Sequence, residues 1–308
     1  MTYAEMTALG LIEEIAEPDQ RVLDRAVSVV IPAFNEAGHV AAQIRAVQTV
    51  METTGWTYEI VVVDDGSTDD TALSAAGAGI RVLRQRRNRG YGAALKSGVA
   101  AARFDWILIT DADGTYPAAA IPALLAAAAG NDMVVGARTG RTVKIPLVRR
   151  PAKAFLGWLA SYLAGRRLPD LNSGLRLMRR DLIERYLHLL PSGFSFTTTI
   201  TLACACNGHA VEYVPIDYLA RLGESKIRSR HAYDFLLLIL RTIVFFNPLK
   251  VFLPLGGILA LGGIGKFIYD LWIGNLSETA VLGMLGALIV WAVGLLADQN
   301  ARIAMSRR

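Results

Sequence analysis

Two carboxylates one residue apart, Asp111 and Asp113, stand in the run Ile109-Thr110-Asp111-Ala112-Asp113-Gly114, directly after a short apolar segment. A chain that turns at a strand end can aim both carboxylates at one divalent cation. Hard oxygen donors of this kind suit Mg2+ or Mn2+, with diphosphate oxygens and water completing the shell. A cation there would neutralise charge gathering on a departing diphosphate. A second carboxylate pair, Asp64 and Asp65, ends Val61-Val62-Val63 and is followed by Gly66-Ser67-Thr68-Asp69. Asp64 and Asp65 stand where a ribose or a base N–H could be held, while Ser67 or Asp69 suits a helix cap. A third group, Ile31-Pro32-Ala33-Phe34-Asn35-Glu36, reads either as a ligand loop or as a strand stop (Pro32) and a cap (Asn35).

The elements that must position these groups are legible from apolar runs. Val27–Ile31, Ile60–Val63, Ile80–Leu83, Trp106–Thr110 and Met133–Gly136 are short, nearly all apolar and bounded by polar residues or glycine. That pattern predicts strands buried on both faces. Helical stretches fall between them, at about Val40–Glu52, Asp70–Ala76, Tyr91–Ala102 and Pro117–Ala129. The alternation predicts an α/β domain with a mostly parallel sheet, whose ligands sit beyond the carboxyl ends of the strands. From Pro151 to Gly208 the pattern reads as helical with a loop at Pro169–Gly174, and Ala210–Val214 reads as a further strand.

The chain has 308 residues, 53% hydrophobic and 19% charged, with a formal net charge of +5. Its mean hydropathy of +0.36 points to membrane segments, and the long apolar runs lie after Asp234. Ala232–Phe246 is too short to span and suits an interfacial helix. Val251–Ile273 and Ala280–Ala297 are long enough to cross, and the short connector Gly274–Thr279 makes them a hairpin. Positive residues flank the hairpin on both sides, Arg221 to Lys250 before it and Arg302, Arg307 and Arg308 after it, while the connector has none. Both ends are therefore expected to face the cytoplasm, in a multi-pass protein of the cell inner membrane. Lys266 is the discordant charge and is expected to snorkel to the outer headgroups. Met1 to Asp24 carries acidic residues and lacks the basic start and apolar core of a signal peptide.

The basic balance with no aromatic-rich basic stripe favours phosphates and lipid headgroups over nucleic acid as partners. Cys204 and Cys206 form a C-x-C whose side chains diverge on a helix, so buried free thiols are expected rather than a disulfide or a metal site. His39, His188, His209 and His231 show no partner pattern and are read as surface or packing residues.

The motifs occur in one order. Val29 to Glu36, Val63 to Asp69, Asn88-Arg89-Gly90-Tyr91-Gly92-Ala93-Ala94 and Asp111-Ala112-Asp113 together resemble the family 2 glycosyltransferases of GT-A fold. Asn172-Ser173-Gly174-Leu175-Arg176 and Arg221-Leu222-Gly223-Glu224-Ser225-Lys226 resemble its polyprenyl-phosphate branch, which includes dolichol-phosphate mannose synthase and undecaprenyl-phosphate glucosyltransferases.

The resemblance implies a GT-A (Rossmann-like) catalytic domain over residues 27–228, after a lead segment 1–26. It is followed by an interfacial region 229–249, the hairpin 250–301 and a basic tail 302–308. It implies inverting transfer of a sugar from a nucleotide-sugar, GDP- or UDP-linked, to a polyprenyl phosphate, with Mg2+ or Mn2+. Pro32, Asn35, Glu36, Asp64 and Asp65 then match nucleotide contacts, to which Ala112 of the Asp-Ala-Asp run is added. Asp111 and Asp113 match the metal and diphosphate ligands. Arg138 matches an arginine near the diphosphate and the acceptor phosphate. Arg221, Ser225 and Lys226 match the acceptor-phosphate site, joined by one of Arg149 and Arg150, with Arg150 preferred. Where some members carry a glutamine as a further metal ligand, this chain has Thr115.

The physical demand on such a site is to hold two anionic partners in line, so no strong base is required, and Asp170 is the fallback. Two other readings are a polysaccharide-elongating enzyme, disfavoured by the lack of Q-x-x-R-W, and a silent sugar-lipid binding subunit, disfavoured by the intact carboxylates and basic cluster. A hairpin of two helices is too small to carry a product across a membrane, so a separate flippase is expected.

Overall fold

In the computed structural model the described residues are 25–139, 157–162, 164–219 and 231–306. Arg149, Arg150, Arg221, Ser225 and Lys226, read above as acceptor-phosphate residues, lie outside them.

The alternation forms β1 (Ala26–Ala33), α1 (Val40–Met51), β2 (Thr57–Asp64), α2 (Thr71–Ala76), β3 (Arg81–Arg84), α3 (Tyr91–Ala101) and β4 (Trp106–Ile109). A 3-10 turn (Ala118–Ala120) leads into α4 (Ile121–Ala126) and β5 (Met133–Ala137). Then come β6 (Arg176–Arg179), α5 (Arg180–Tyr186), α6 (Phe196–Cys206), β7 (Val211–Pro215), α7 (His231–Phe246), α8 (Leu249–Ile273) and α9 (Glu278–Ser306). Residues 157–162 are also helical.

The strands make one sheet in the order β3-β2-β1-β4-β6-β5-β7. All neighbours are parallel except β6, which is antiparallel to both β4 and β5. The mostly parallel sheet agrees with the sequence reading. Two readings are corrected. Arg176–Arg179 is a strand, not part of a helical stretch, and β1 runs one residue past Pro32 to Ala33, so Pro32 does not stop it. Pro32 pairs in register with Val63 inside the sheet.

Alternate residues of β1 enter opposite cores, as the two-residue period of a strand requires. Val27, Val29 and Ile31 pack with Val40, Ile44 and Val47 of α1, while Val30 packs with Leu95 and Val99 of α3. Cover on both faces explains why the strands read as unbroken apolar runs. The register then sets the site. Ala33 is level with Asp64, so β1 and β2 end together; Ile109 is level with Val30, so β4 ends short of them at the same edge, and the residues that follow it run on beside the end of β1. Ile109 pairs with Arg176, and because β6 runs backwards its beginning, not its end, lies at that edge.

A third core joins residues Ala160 and Ala164 to Leu202 of α6 and Ile239 and Ile243 of α7, with Val251 of α8 against it. It seats the C-terminal helices on the domain. Helices α8 and α9 are apolar and long enough to cross a membrane, and they leave most of their side chains exposed. They meet through small residues: a Cβ on Gly263 would lie 2.8 Å from the Met284 backbone, and one on Gly283 would lie 3.0 Å from Gly263. Lys266 does not stand alone: its ammonium pairs with Asp270 and lies 5.3 Å from the Tyr269 ring centroid. Asp270 also accepts from the Ser277 amide at 2.9 Å and from its hydroxyl, bracing the turn into α9. Helix α9 continues to Ser306, beyond the span expected from sequence and into the stretch read as a tail.

Candidate active site

The carboxylates meet at the edge where β1, β2 and β4 end. Asp65 accepts from the amides of Arg89 (2.9 Å) and Gly90 (2.8 Å). It therefore pins the loop that starts α3. Asp64 Oδ1 accepts from the Ser67 amide at 2.9 Å. Its Oδ2 is buried, makes no hydrogen bond, and lies 3.2 Å from Arg84 Nε. Beside it opens a cleft of about 300 Å3 lined by Gly66, Ser67, Arg84, Gln85 and Arg86. Gln85 Oε1 is likewise buried without a hydrogen bond.

The β1 and β2 loops are stitched together. Asn35 is the sole non-glycine residue with positive φ (56°) among the described residues. Its amide donates to Ser67 Oγ (2.9 Å), its side-chain oxygen accepts from the Thr68 amide (2.9 Å), and the Glu36 amide donates to Thr71 Oγ1 (2.8 Å). Asp69 joins the Ala37 amide to Thr71, while Asp70 occupies the cap position of α2 without a side-chain bond. Ser67 is therefore a loop-to-loop tie, whereas Asp69 does both: its carboxylate accepts from the Thr71 amide at the start of α2 (3.0 Å), as expected of a cap, and from the Ala37 amide of the neighbouring loop.

Asp111 and Asp113 follow β4, with Ala112 buried between them. Asp111 Oδ1 accepts from the Tyr91 hydroxyl at 3.0 Å. Burial, reinforced by the Asp111 charge, keeps that phenol protonated well above its ordinary range. A Cβ on Gly174 would lie 2.7 Å from Asp111 Oδ2. Only glycine lets this loop close on the carboxylate. Asp113 Oδ1 accepts from both the amide (3.1 Å) and the hydroxyl (2.7 Å) of Thr115. Thr115, at the position where the resemblance implies a glutamine ligand in some members, instead orients Asp113.

The loop over Asp111 is held from below. The guanidinium of Arg176 is fully buried: Nε donates to Ser173 O (2.6 Å), Nη1 to Thr201 Oγ1 (2.6 Å) and Nη2 to Leu171 O (2.9 Å). Ser173 Oγ donates to Gly136 O (2.6 Å), and the Gly174 amide to the Tyr116 hydroxyl (2.6 Å).

Arg138 follows β5 and reaches the same edge, already paired. Its Nε and Nη2 donate to Asp170 at 2.8 Å each, its amide also donates to Asp170 (2.9 Å), and Nη2 reaches Asn172 Oδ1 at 2.5 Å. Burial opposes charge on both partners, yet mutual bonding wins, holding Arg138 above and Asp170 below their ordinary values. Both Asp170 oxygens are engaged by Arg138, and the carboxyl, held below its ordinary value, is a weaker proton acceptor than a free aspartate.

Cys204 and Cys206 are free thiols, as expected, and burial pushes Cys204 to about 12 and Cys206 to about 11. His209 does have partners, Tyr186 at 2.9 Å and Asp132 at 3.2 Å, but these lie near the start of β5, at the opposite edge. Tyr91, Thr115, Tyr116, Gly174 and Arg176 are site residues that sequence reading did not assign. Tyr91, Gly174 and Arg176 stood inside motifs that had been singled out.

Residues 28–187 match Glycosyl transferase family 2. The chain belongs to that family. Residues 247–303 match the GtrB C-terminal hairpin. This glycosyltransferase is also similar in fold to solved structures of glucosyl-3-phosphoglycerate synthase from Mycobacterium tuberculosis. The complex with UDP has a TM-score of 0.58 and 22% identity, over 72% of this chain and 81% of that one. The complex with Mn2+, UDP-glucose and phosphoglyceric acid has a TM-score of 0.57 and 22% identity, over 72% and 80%. A further structure of that synthase covers 79% of this chain and 84% of its own, with a TM-score of 0.54 and 23% identity. The GT-A architecture and the glycosyltransferase activity expected from sequence are thereby borne out, and the hairpin associates the enzyme with a membrane.

Proposed function

We propose that this glycosyltransferase transfers a hexose, with inversion, from a UDP- or GDP-sugar to a polyprenyl phosphate at the cytoplasmic face of the membrane. The observation that carries the proposal is a family 2 catalytic domain continuous with a two-helix hairpin whose apolar surface is bare. A lipid-borne acceptor explains why a sugar-transfer site is tethered to a bilayer.

Asp111 and Asp113 fit a divalent cation, Mg2+ or Mn2+, held jointly with the donor's diphosphate. Both are carboxylates at a strand end, and Thr115 orients one of them. Among the described residues no three His, Cys, Asp or Glu side chains cluster as a closed cage, which is consistent with a site that the donor completes. The bound cation would supply counter-charge to the departing diphosphate. Asp64, at the end of β2 next to Arg84 and the cleft, is assigned to the base, and the stitched Asn35–Glu36 loop shapes the nucleotide's bed next to Pro32. The solved neighbours contain UDP, which makes a uridine donor the first to test.

The acceptor phosphate is already anionic and needs no base. Its oxygen attacks the anomeric carbon from the face opposite the diphosphate, the carbon–oxygen bond to the diphosphate breaks, and the nucleoside diphosphate leaves. Arg138, Arg150, Arg221, Ser225 and Lys226 are assigned to the acceptor's phosphate on their motifs. The charge distribution supports an orientation with both hairpin ends on the cytoplasmic side of an inner membrane, and a separate flippase would carry the product across.

Purified protein with Mn2+ or Mg2+, polyprenyl phosphate and labelled nucleotide-sugars should yield a labelled lipid that a chelator abolishes. Asp113→Ala should lose transfer while keeping its circular dichroism. A labelled lipid formed equally by that variant would refute the metal assignment, and no lipid product across a broad donor panel would refute the acceptor.

A further inference from the structure

Helix α6 begins Phe196-Thr197-Thr198-Thr199, and besides the open amides common to helix starts its first turn holds two buried hydroxyls without partners. Ser195 occupies the cap position without a side-chain cap bond. Among the described residues nothing accepts from the amides of Thr197 and Thr198, whereas those of Phe196 and Thr199 are bonded. The hydroxyls of Thr198 and Thr199 are buried, with the residues 1% and 4% exposed, and neither has a hydrogen-bond partner. A helical threonine ordinarily returns its hydroxyl to the carbonyl four residues back. Thr201 does so, donating to Thr197 O at 2.7 Å. Helical side chains lean toward the N-terminus, so the two unused hydroxyls are directed toward the end that the unused amides face.

This turn is bracketed by the two segments that touch Asp111. On one side Phe194, just before the helix, stacks on Tyr91 (centroids 5.6 Å apart), whose hydroxyl bonds Asp111. On the other, Thr201 meets Leu171 O and Arg176, which fix the loop whose Gly174 abuts Asp111. Helix α7 runs alongside in the same direction: Phe246 packs in the core with Cys204, and Lys250 is close enough to Cys206 to lower its thiol pKa against burial. The start of α7 is therefore at the same end as the threonine turn.

Unbonded amides at a helix N-terminus attract anions, and hydroxyls beside them donate to phosphate oxygens. We propose that the first turn of α6, through the Thr197 and Thr198 amides and the Thr198 and Thr199 hydroxyls, is a subsite for the phosphate monoester of the acceptor. The proposal rests on the lipid-phosphate reading above for the identity of the acceptor, but not for the presence of an anion site.

The test uses Thr198→Val and Thr199→Val in the full-length protein. Valine keeps the shape and removes an unpaired hydroxyl, so Tm should hold or rise. Each variant should raise KM for polyprenyl phosphate on the order of tenfold, with kcat and the affinity for nucleoside diphosphate unchanged. An unchanged acceptor KM in both variants would overturn the proposal, and so would a parallel loss of nucleotide affinity. Inorganic phosphate supplies the arm that does not depend on a lipid acceptor. With nucleoside diphosphate and Mn2+ present, phosphate should raise the Tm of the wild type and do so less in the variants. Phosphate stabilisation without lipid transfer would retain the anion site and reject the lipid; equal stabilisation of wild type and variants would reject the site.

Discussion

Gly174→Ala is the sharpest perturbation of the carboxylate pair, because it alters Asp111 without removing it. The new methyl would sit 2.7 Å from Asp111 Oδ2 and 2.9 Å from Oδ1, where ordinary contact begins at 3.4 Å. Something must therefore shift by about 0.7 Å. The loop cannot easily be the part that moves. Ser173 is bonded to Gly136 and Arg176, the Gly174 amide to Tyr116, and the next residues enter β6 in register with β4. The carboxylate gives way instead, straining its bond to Tyr91. Misplacing a reacting group by about 1 Å costs on the order of a hundredfold in rate, so kcat/KM should fall about 30- to 100-fold. Overpacking should cost about 1–3 kcal/mol, or roughly 3–10 °C in Tm. Mn2+ titration of initial rates should show a raised half-saturation. Gly157→Ala, where no atom lies within 4 Å of the new methyl, is the control. A Gly174→Ala enzyme with activity within threefold of wild type and an unchanged Tm would refute the claim that this contact positions Asp111.

Other expected outcomes follow from the same geometry. Thr115→Val removes the 2.7 Å hydroxyl bond to Asp113 but keeps the amide bond, and should weaken metal dependence on the order of tenfold in a Mn2+ titration. Asp170→Asn removes the buried charge that pairs a partly buried Arg138 and should cost about 3 kcal/mol by denaturant unfolding. Because folding depresses the Asp170 pKa, its contribution is complete above the unfolded value near ~3.9 and lost as pH falls through the lower folded value. The wild-type advantage over Asp170→Asn should therefore be flat at neutral pH and shrink only in strong acid. Cys204 and Cys206, raised to about 12 and 11, should resist maleimide at pH 7.5 in the native protein and react on unfolding; rapid labelling of Cys204 in folded protein would contradict its burial.

How much of this was legible in the residues depended on whether a signal was local. Asp64, Asp65, Asp111 and Asp113 each follow an apolar run, so their convergence at a sheet edge could be read from strand ends alone. The spans of α8 and α9 are continuous apolar stretches, legible for the same reason. β6 was not legible, because Arg-Leu-Met-Arg carries two arginines in four residues and leads straight into a helix. Arg176 can be fully buried only because Leu171, Ser173 and Thr201 supply oxygens from both sides of the strand, a condition that a short window does not display. The reversal of β6 is what brings the loop before it, rather than the loop after it, to Asp111. The tie of Asn35 to Thr68 and of Asp65 to the Gly90 loop likewise crosses from one βα unit to another.

The pairing of Lys266 with Asp270 has a consequence for how the chain is made. In the proposed orientation the hairpin tip is the part that must pass through the hydrocarbon during insertion. A lone lysine or aspartate at that depth costs about 2.5–3.5 kcal/mol on insertion scales. Spaced four residues apart on one helix, the two meet as soon as that helix forms. Asp270 also holds Ser277, so the turn is closed by the same carboxylate that cancels the charge. Lys266 and Asp270 can therefore cross as one neutral pair rather than as two separate ions, so that of the charged groups near the tip only Glu278 is left to carry a net charge.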